Sequence, residues 1–371
     1  MSTTDTIRRI GILTGGGDCP GLNAVIRAVT KTAIYQYGLE VWGIADGFLG
    51  LIRNRMHKLE ANDVSNILTQ GGTILGTSNR ANPAHFAVGE NPDGSPIFKD
   101  VTSRVLEHIE ERQLDAVVCI GGDGTMTGAA DLVKQGVHCV GVPKTIDNDL
   151  MHTEITFGFQ TAVSTASEAL DRIHTTASSH HRVMLVEIMG RNAGWLTLHS
   201  GVASGADVIL IPEIPYDVDV VCQYCKKRSG KGKAFTIIAI AEGAKPIGGK
   251  QVVGQVIKDS PDPIRLGGVS QVLARQIEER TELECRATIL GHIQRGGTPV
   301  PADRVLGTLF GYRALDLVLA RRFNEVVVMQ KSEITSVPME SVAGKQRLVP
   351  INEPLIEAAR GVGTSFGDDL M

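Results

Sequence analysis

Apolar segments of strand length alternate with helix-like segments through the first half of the chain. The strand candidates are residues 9–14, 115–120 and 138–142. The helix candidates are residues 22–34, 101–113 and a stretch that ends at residue 135. Regular alternation of this kind predicts an α/β fold, with a mostly parallel sheet and helices on both of its faces.

The alternation continues in the second half. Strand candidates cover residues 180–189, 234–241 and 286–293, and helical periodicity covers residues 156–174 and 270–280. Two segments break the pattern because they are polar or rich in proline and glycine. We predict that the first, 81–100, is a surface excursion and that the second, 245–268, is irregular.

Length and composition favour two domains. The 371 residues are 42% hydrophobic, enough for one large core or two ordinary ones. The net charge of -4 gives no overall attraction to nucleic acid, and no apolar run approaches the ~20 residues of a membrane span. The polar start lacks a signal-peptide core, so we expect a cytoplasmic protein without nucleic-acid or membrane partners. The cysteines are dispersed, which disfavours a disulfide framework. The pair Cys222 and Cys225 has the helical spacing expected in a reduced protein, and a zinc or redox role is the alternative.

Two glycine-rich loops each follow a strand candidate and precede a helix candidate. One covers residues 15–21, and the other, G-G-D-G-T, covers residues 121–125. Such junctions direct backbone N–H groups outward, which suits a phosphate, although an ordinary strand-to-helix turn has the same form. Asp123 in the second loop indicates Mg²⁺, which commonly binds one or two carboxylates together with waters and phosphates. A third glycine-rich loop, 71–80, ends in Arg80 and either binds a phosphate or only turns the chain.

The stretch V-G-V-P-K-T-I-D-N-D-L, residues 140–150, places a polar cluster at the end of a strand candidate. Open α/β sheets bind ligands at the carboxyl ends of their strands, so acid/base chemistry is predicted here. A turn that uses Asp and Asn only for local backbone bonds is the alternative.

Charged side chains also flank the later strand candidates. They are Arg182 and Arg191 around 180–189, Glu242 after 234–241, and Arg286, His292 and Arg295 around 286–293. Arginine binds phosphate oxygens bidentately, and a glutamate can accept hydrogen bonds from sugar hydroxyls. Surface arginines and a structural histidine are the alternatives.

Four motifs together resemble the 6-phosphofructokinase family. They are G-G-D-G-T at 121–125, P-K-T-I-D-N-D at 143–149, M-G-R at 189–191 and G-H-I-Q-R-G-G at 291–297, in the family's order. NAD kinases and lipid kinases of the diacylglycerol-kinase type share a loop similar to the first motif. The other three motifs are not expected in those kinases.

The resemblance implies two Rossmann-like three-layer domains with mostly parallel sheets and an active site in the cleft between them. Residues 1–158 plus 294–345 are expected to bind the phosphoryl donor, and residues 159–293 plus 346–371 to bind the sugar phosphate. The implied reaction transfers a phosphoryl group from Mg-ATP to the 1-hydroxyl of fructose 6-phosphate, the committed step of glycolysis.

Matching motifs give expected roles at the reacting centre. Asp147 matches the base that takes the hydroxyl proton, and Asp149 matches the carboxylate that supports the reacting centre and its metal. Arg191 and Arg80 are expected to neutralise the transferred group, and Gly15 to donate its N–H to that group. The expected donor-binding residues are Gly122, Asp123, Gly124 and Thr125, with Asp123 holding Mg²⁺.

The resemblance also implies sugar contacts and an oligomer. The expected contacts are Thr145, Ile146, Met189, Gly190 and Glu242, with His292 and Arg295 on the 6-phosphate. Arg182 and Arg286 match arginines that the family supplies from a neighbouring subunit. A homo-oligomer, either a dimer or a tetramer, is therefore expected.

Two positions bear on the donor. Members of the family that use pyrophosphate typically carry an aspartate after G-G-D and a lysine in P-K-T-I-D-N-D, whereas common bacterial ATP users carry glycine at both. Here Gly124 follows the ATP pattern and Lys144 the pyrophosphate pattern. A carboxylate at position 124 would oppose the α-phosphate of ATP, whereas a lysine suits either polyphosphate, so we favour ATP. Pyrophosphate as donor, a non-catalytic regulatory paralogue, and a NAD or lipid kinase are the alternatives.

Overall fold

The chain is built from alternating strands and helices. The computed structural model describes residues 6–230, 235–257 and 263–369. The strands are β1 (Arg9–Thr14), β2 (Glu40–Ile44), β3 (Met56–Leu59), β4 (Phe86–Glu90), β5 (Pro96–Lys99), β6 (Ala116–Gly121), β7 (Cys139–Pro143), β8 (Val183–Ile188), β9 (Val208–Leu210), β10 (Thr236–Ala241), β11 (Val253–Val256), β12 (Ile264–Leu266), β13 (Cys285–Ile289), β14 (Glu325–Gln330) and β15 (Glu333–Pro338). The α-helices are α1 (Leu22–Tyr37), α2 (Phe48–Ile52), α3 (Thr102–Arg112), α4 (Asp123–Lys134), α5 (Phe159–His180), α6 (Trp195–Ala203), α7 (Val218–Gly230), α8 (Val269–Thr281), α9 (Pro301–Leu319), α10 (Met339–Val342) and α11 (Pro354–Gly361).

Two sheets carry the fold. Within the described residues, the larger sheet has seven strands in the order β15-β14-β7-β6-β1-β2-β3, parallel except for β15 and β3 at its edges. The smaller sheet has the order β13-β8-β10-β9 and is parallel throughout. Every residue of β6, β8 and β10 is buried, as expected for parallel strands covered by helices on both faces. The predicted α/β fold is confirmed.

The strands of the two sheets come from different parts of the chain. The larger sheet uses residues 9–143 and 325–338, and the smaller sheet uses residues 183–289. This division is compatible with two domains. The predicted domain boundaries, near residues 158, 294 and 345, stay predictions.

The segment 81–100 lies at the surface, as predicted, with only Pro83 buried, and β4 and β5 form an antiparallel hairpin there. Its turn, N-P-D-G, closes with Asn91 N–H donating to the Ser95 carbonyl at 2.8 Å. Turn residues of this kind between two short strand-length segments indicate a hairpin. The weak alternation of apolar and polar residues in these segments obscured that signal. Likewise, 245–268 contains the paired strands β11 and β12, which are largely exposed and so lack an apolar pattern.

Other predicted elements differ at their ends. The predicted strand 286–293 stops at Ile289, because Gly291 takes a φ of 53° and begins a 3₁₀ helix, Gly291–Arg295. The predicted helix 156–174 corresponds to α5, which starts and ends later. The predicted strand 234–241 corresponds to β10, and Ala234 lies outside the described residues.

Two further expectations can be compared with the structure. All six cysteines are buried and none forms a disulfide, and Cys222 and Cys225 lie on α7 as their spacing predicts. In the part of the chain that the structure describes, no helix has both the length and the apolar character needed to cross a membrane.

Candidate functional site

A cavity of about 610 Å³ lies at the carboxyl ends of β1, β6 and β7 and extends to the loop after β8. Among the described residues, its lining includes these predicted site residues: Gly122, Asp123, Gly124, Thr125, Lys144, Thr145, Ile146, Asp147, Asp149, Arg191 and Arg295. The cavity therefore brings together residues from the ends of three parallel strands and from three separate later segments, around Arg191, Arg295 and Gln346. This is the position at which open α/β sheets bind ligands.

The first glycine loop forms one wall of the cavity. Gly16 and Gly17 line it, and Gly16 has a left-handed φ of 77°, which glycine adopts without strain. The Gly16 N–H donates to the Ser78 carbonyl at 3.1 Å, so the loop is tied to the segment that leads to Arg80. The Gly15 N–H donates to the Ile120 carbonyl at 2.9 Å. A phosphoryl group could therefore accept from Gly15 only if that sheet hydrogen bond were exchanged.

Lys144 supports this loop from the sheet side. Its side chain is buried, and its ammonium group donates to the Gly17 carbonyl. Burial lowers the pKa of Lys144, while the nearby Cys19 thiol acts in the opposite direction. The lysine therefore has a structural partner inside the protein in addition to its position on the cavity wall.

The second glycine loop presents the start of α4 to the cavity. A side chain at Gly121 would collide with Thr125, since a Cβ there would lie 2.2 Å from the Thr125 side chain. A Cβ at Gly124 would meet nothing within 4 Å, so the space beside this residue is open. Asp123 accepts the Gly344 N–H at 2.6 Å, and burial raises the pKa of Asp123.

The turn after β7 divides its polar residues between structure and chemistry. Asn148 has a left-handed φ of 52° and makes local bonds: its Oδ1 accepts the Thr156 N–H at 3.0 Å and its Nδ2 donates to the Glu154 carbonyl at 3.2 Å. Asp147 behaves differently, because its Oδ1 is buried without a hydrogen-bond partner among the described residues. Buried polar atoms are nearly always paired, so this oxygen indicates a group that a ligand would satisfy. The turn interpretation thus explains Asn148 but not Asp147.

The electrostatics of the two aspartates suit a base near neutral pH. Burial raises the pKa of Asp147 to about 6, Arg295 and Lys144 oppose the rise, and Glu242 adds to it. Burial and the charge of Asp147 raise the pKa of Asp149 to about 7. A general base is most effective when its pKa lies close to the working pH.

The carboxylates also fit Mg²⁺. Asp123 and Asp149 line the same cavity, and the charge of Asp123 contributes to the raised pKa of Asp149. No group of three or more His, Cys, Asp or Glu side chains in the described ranges is arranged to bind a metal. Mg²⁺ commonly takes only one or two carboxylates and completes its shell with waters and phosphates, so these two side chains are a sufficient protein contribution.

Two arginines that follow strands of the smaller sheet, Arg191 and Arg295, line the cavity. Arg191 follows β8 and lines the cavity. The Arg295 guanidinium lies against Gly17, where a Cβ would come within 1.7 Å of its Nη1. Burial, together with the charge of Glu187, raises the pKa of Glu242, and the charges of Arg295 and Arg191 oppose that rise. The two arginines and the first glycine loop could therefore grip a phosphorylated ligand between them.

Several predicted residues lie outside the cavity lining. They are Gly15, Arg80, Met189, Gly190, Glu242, His292, Arg182 and Arg286. Most of them are close to it along the chain: Asn79 and Ala81 flank Arg80 and line the cavity, and the exposed His292 shares the 3₁₀ helix with Arg295. The Met189 N–H donates to Gln294 Oε1 at 3.2 Å, which joins the end of β8 to that helix.

Arg182 and Arg286 are a different case. They lie at the amino ends of β8 and β13, where Arg182 pairs with Glu284 at 2.9 Å and Arg286 pairs with the same carboxylate. The cavity lies beyond the opposite ends of these strands, which at 3.3 Å per residue are roughly 17 Å from the start of β8 and roughly 10 Å from Arg286 on β13. Within one chain, Arg182 therefore does not act together with Arg191, and Arg286 does not share an anion pocket with His292 and Arg295.

Sequence reasoning missed a group of polar cavity residues. Asn192, which follows M-G-R, could have been found from its neighbours. Gln346 lines the cavity and comes from the segment after α10, which carries no recognisable motif. The N–H of Gly344 in the same segment donates to Asp123. Only the folded chain brings that segment to the two carboxylates.

Comparisons with known proteins agree on one family. The sequence model described as Phosphofructokinase matches residues 9–318. The chain is 51% identical over 363 residues to ATP-dependent 6-phosphofructokinase 2 of Clostridium perfringens, covering 98% of this chain and 99% of the relative. It is 44% identical over 363 residues to ATP-dependent 6-phosphofructokinase of Spirochaeta thermophila, covering 98% of each. Among solved structures, phosphofructokinase of Pichia pastoris in the T-state superposes with a TM-score of 0.76 at 30% identity, and all of this chain covers 38% of that longer one.

Proposed function

Because this chain belongs to the phosphofructokinase family, we propose that it transfers the terminal phosphoryl group of ATP to the 1-hydroxyl of fructose 6-phosphate, the committed step of glycolysis. The observation that carries the proposal is the buried, unpartnered Asp147 Oδ1 in a cavity walled by two glycine loops. A sugar hydroxyl would supply the missing hydrogen-bond partner and, in the same contact, the proton that this base removes.

The surrounding residues divide the remaining work. Phosphoryl transfer passes through a loose, anionic transition state, so positioning and cations provide most of the rate. Arg191 would neutralise the transferred group, and Arg295 would hold the sugar phosphate, assisted by His292. Asp123 and Asp149 would hold Mg²⁺, which supplies positive charge to the phosphates of the donor. Thr145 fixes the turn, because its Oγ1 accepts the Asp147 N–H at 3.0 Å.

ATP is the donor that the geometry favours. The open space beside Gly124 at the start of α4 leaves room for a nucleotide beyond the terminal phosphates. Lys144 gives no preference for pyrophosphate, since its ammonium group bonds to the Gly17 carbonyl and supports the loop itself. A panel of ATP, GTP and pyrophosphate against fructose 6-phosphate and NAD tests the proposal. We expect turnover with ATP and the sugar; turnover with pyrophosphate but not ATP, or on NAD alone, would refute it.

We also propose that the complete site forms between two copies of the chain. Arg182 and Arg286 share Glu284 at the end of the smaller sheet that faces away from the cavity, so two cations stand close together there with one carboxylate between them. Such a pair can bind a phosphate of a ligand seated in a second copy. In a two-fold oligomer each copy would complete the site of the other.

Complementation tests the shared site. We expect Arg182→Ala to raise the KM for fructose 6-phosphate at least about tenfold, because a charge-assisted bond is lost. When Arg182→Ala is co-expressed with Asp147→Asn and assayed at low fructose 6-phosphate, the mixture should regain about a quarter of the wild-type activity and purified hybrid dimers about half, since half of the dimers are hybrids and each hybrid has one intact site of two. Arg280→Ala, at an exposed arginine of α8 that pairs with Asp219 of α7, serves as the control. If purified hybrids regained no activity, a contribution of Arg182 to the site of the neighbouring subunit would be ruled out.

The dependence of kcat/KM on pH should show the raised pKa of Asp147. Asp147 must be ionised to act as a base, and its pKa lies at about 6 rather than in the usual carboxyl range. Because the pKa is raised, activity should be full well above it and should fall as the pH drops through it. We expect the acidic limb of kcat/KM to lie near pH 6, measured at saturating Mg²⁺. An acidic limb below pH 5 would show that no such carboxyl controls the reaction.

A further inference from the structure

We propose that Gln346 is a positioning residue that holds the Asp149 carboxylate and links it to the loop carrying Arg191. The inference rests on the proposed function and adds a residue to it. Gln346 lines the cavity, and its Nε2 donates to Asp149 Oδ2 at 3.2 Å. On its other side, Asn192 Nδ2 donates to Gln346 Oε1 at 2.9 Å. One side chain thus bridges the Asp149 carboxylate, after β7 of the larger sheet, and the loop after β8.

The chemistry of the bridge requires an amide. An ionised carboxylate only accepts hydrogen bonds, so the group that faces Asp149 must be a donor. The group that faces Asn192 Nδ2 must be an acceptor. Glutamine has both functions at its end, whereas glutamate has no donor when ionised and leucine has neither.

The segment around Gln346 is fixed on both sides, which makes the side chain a reliable bridge. Gly344 N–H donates to Asp123 Oδ1 at 2.6 Å, and Arg347 N–H donates to the Asp149 carbonyl at 2.7 Å. The Arg347 guanidinium lies 4.3 Å from the centre of the Trp195 ring, and Trp195 Nε1 donates to the Arg347 carbonyl at 3.0 Å. The segment 344–347 therefore contacts both carboxylates predicted to hold Mg²⁺ and is anchored to α6.

Hydrogen bonds of this kind orient a metal-binding carboxylate without contacting the metal or the substrate. Partners of metal ligands commonly contribute 10–100-fold to metal affinity or activity. We therefore expect loss of the Gln346 amide to lower kcat about tenfold and to raise the Mg²⁺ concentration for half-maximal activity by a similar factor. The KM for fructose 6-phosphate should change less than about threefold, because Gln346 contacts neither Arg295 nor His292 in this arrangement.

The test uses Gln346→Leu, Gln346→Glu and, as a matched control, Gln330→Leu in the full chain. Gln330 also donates a side-chain amide to a carbonyl, that of His152, but lies outside the cavity lining. If Gln346 only fills space, the glutamate variant, which has the same shape, should resemble the wild type. If it donates to Asp149, the glutamate variant should be at least as impaired as the leucine variant.

Mn²⁺ binding gives a readout independent of turnover. It is measured as the loss of the EPR signal of free Mn²⁺ in the presence of a non-hydrolysable ATP analogue. We expect about tenfold weaker binding in both Gln346 variants and none of this change in Gln330→Leu. Unchanged Mn²⁺ affinity and kcat in Gln346→Glu would overturn the proposal, and this variant remains decisive if the leucine variant does not fold. An inactive wild type would refute the proposed function, whereas the Mn²⁺ titrations would still decide the role of Gln346.

The link to Asn192 can be tested separately. A double-mutant cycle combines Gln346→Leu and Asn192→Ala. Because the two side chains are hydrogen-bonded to each other, the effects of the two substitutions on the activation free energy should not be additive. We expect the double variant to lose little more kcat than the more impaired single variant. Multiplicative losses would show that the two side chains act independently and that no bridge exists.

Discussion

Replacing Asp147 with asparagine should lower kcat by a factor on the order of 10²–10⁴, because this is the usual contribution of a general base. The fold should be unaffected, since asparagine has nearly the same shape and Asp147 Oδ1 has no hydrogen-bond partner to lose. Binding of fructose 6-phosphate, measured by calorimetry, should stay within about threefold, because Arg295 and His292 are unchanged. Steady-state kinetics of the purified variant with ATP provide the measurement.

Asp131→Asn is the matched control for this variant. Asp131 lies on α4 and pairs with Lys134 at 2.8 Å on the surface, so its loss should leave kcat within about twofold of the wild type. If Asp147→Asn turned over as fast as Asp131→Asn, Asp147 could not be the base.

The second large effect concerns the donor. Gly124→Asp should lower kcat/KM for ATP by roughly 10²-fold, because a carboxylate about 5 Å from a phosphate costs about 3 kcal/mol at an effective dielectric constant of 20. The change should not disturb the fold, since a Cβ at this position meets nothing within 4 Å. The activity with pyrophosphate should fall less, so the ratio of the two activities should move towards pyrophosphate.

Gly124→Asn separates charge from bulk, because the two side chains have nearly the same size. We expect the asparagine variant to retain most of the ATP activity that the aspartate variant loses. Equal losses in both variants would assign the effect to bulk. No loss in either would show that the donor does not pass near Gly124.

The fold was predictable where the chain buries continuous apolar strands. The strand 9–14 matches β1 residue for residue, and the predicted strands 115–120 and 138–142 match β6 and β7 to within a residue. Parallel strands that are covered on both faces appear in the sequence as continuous apolar segments. The β4–β5 hairpin and the exposed β11–β12 pair have one or both faces in solvent, so apolar periodicity did not reveal them.

The lining of the cavity was predictable for the residues that follow buried strands. Asp123, Asp147 and Arg191 all line the cavity because the carboxyl ends of the strands meet there. Gln346 was not predictable, since it reaches the site through a long-range return of the chain. Its only local signal is a polar segment after α10, which many surface loops share.

The most direct test of the central claim is identification of the product. Purified protein with Mg-ATP and fructose 6-phosphate should, in ³¹P NMR, convert ATP to ADP and yield a new phosphomonoester at carbon 1 of the sugar, and Asp147→Asn should abolish most of that signal. Hydrolysis of ATP without a new sugar phosphate, or phosphorylation at another hydroxyl, would contradict the account.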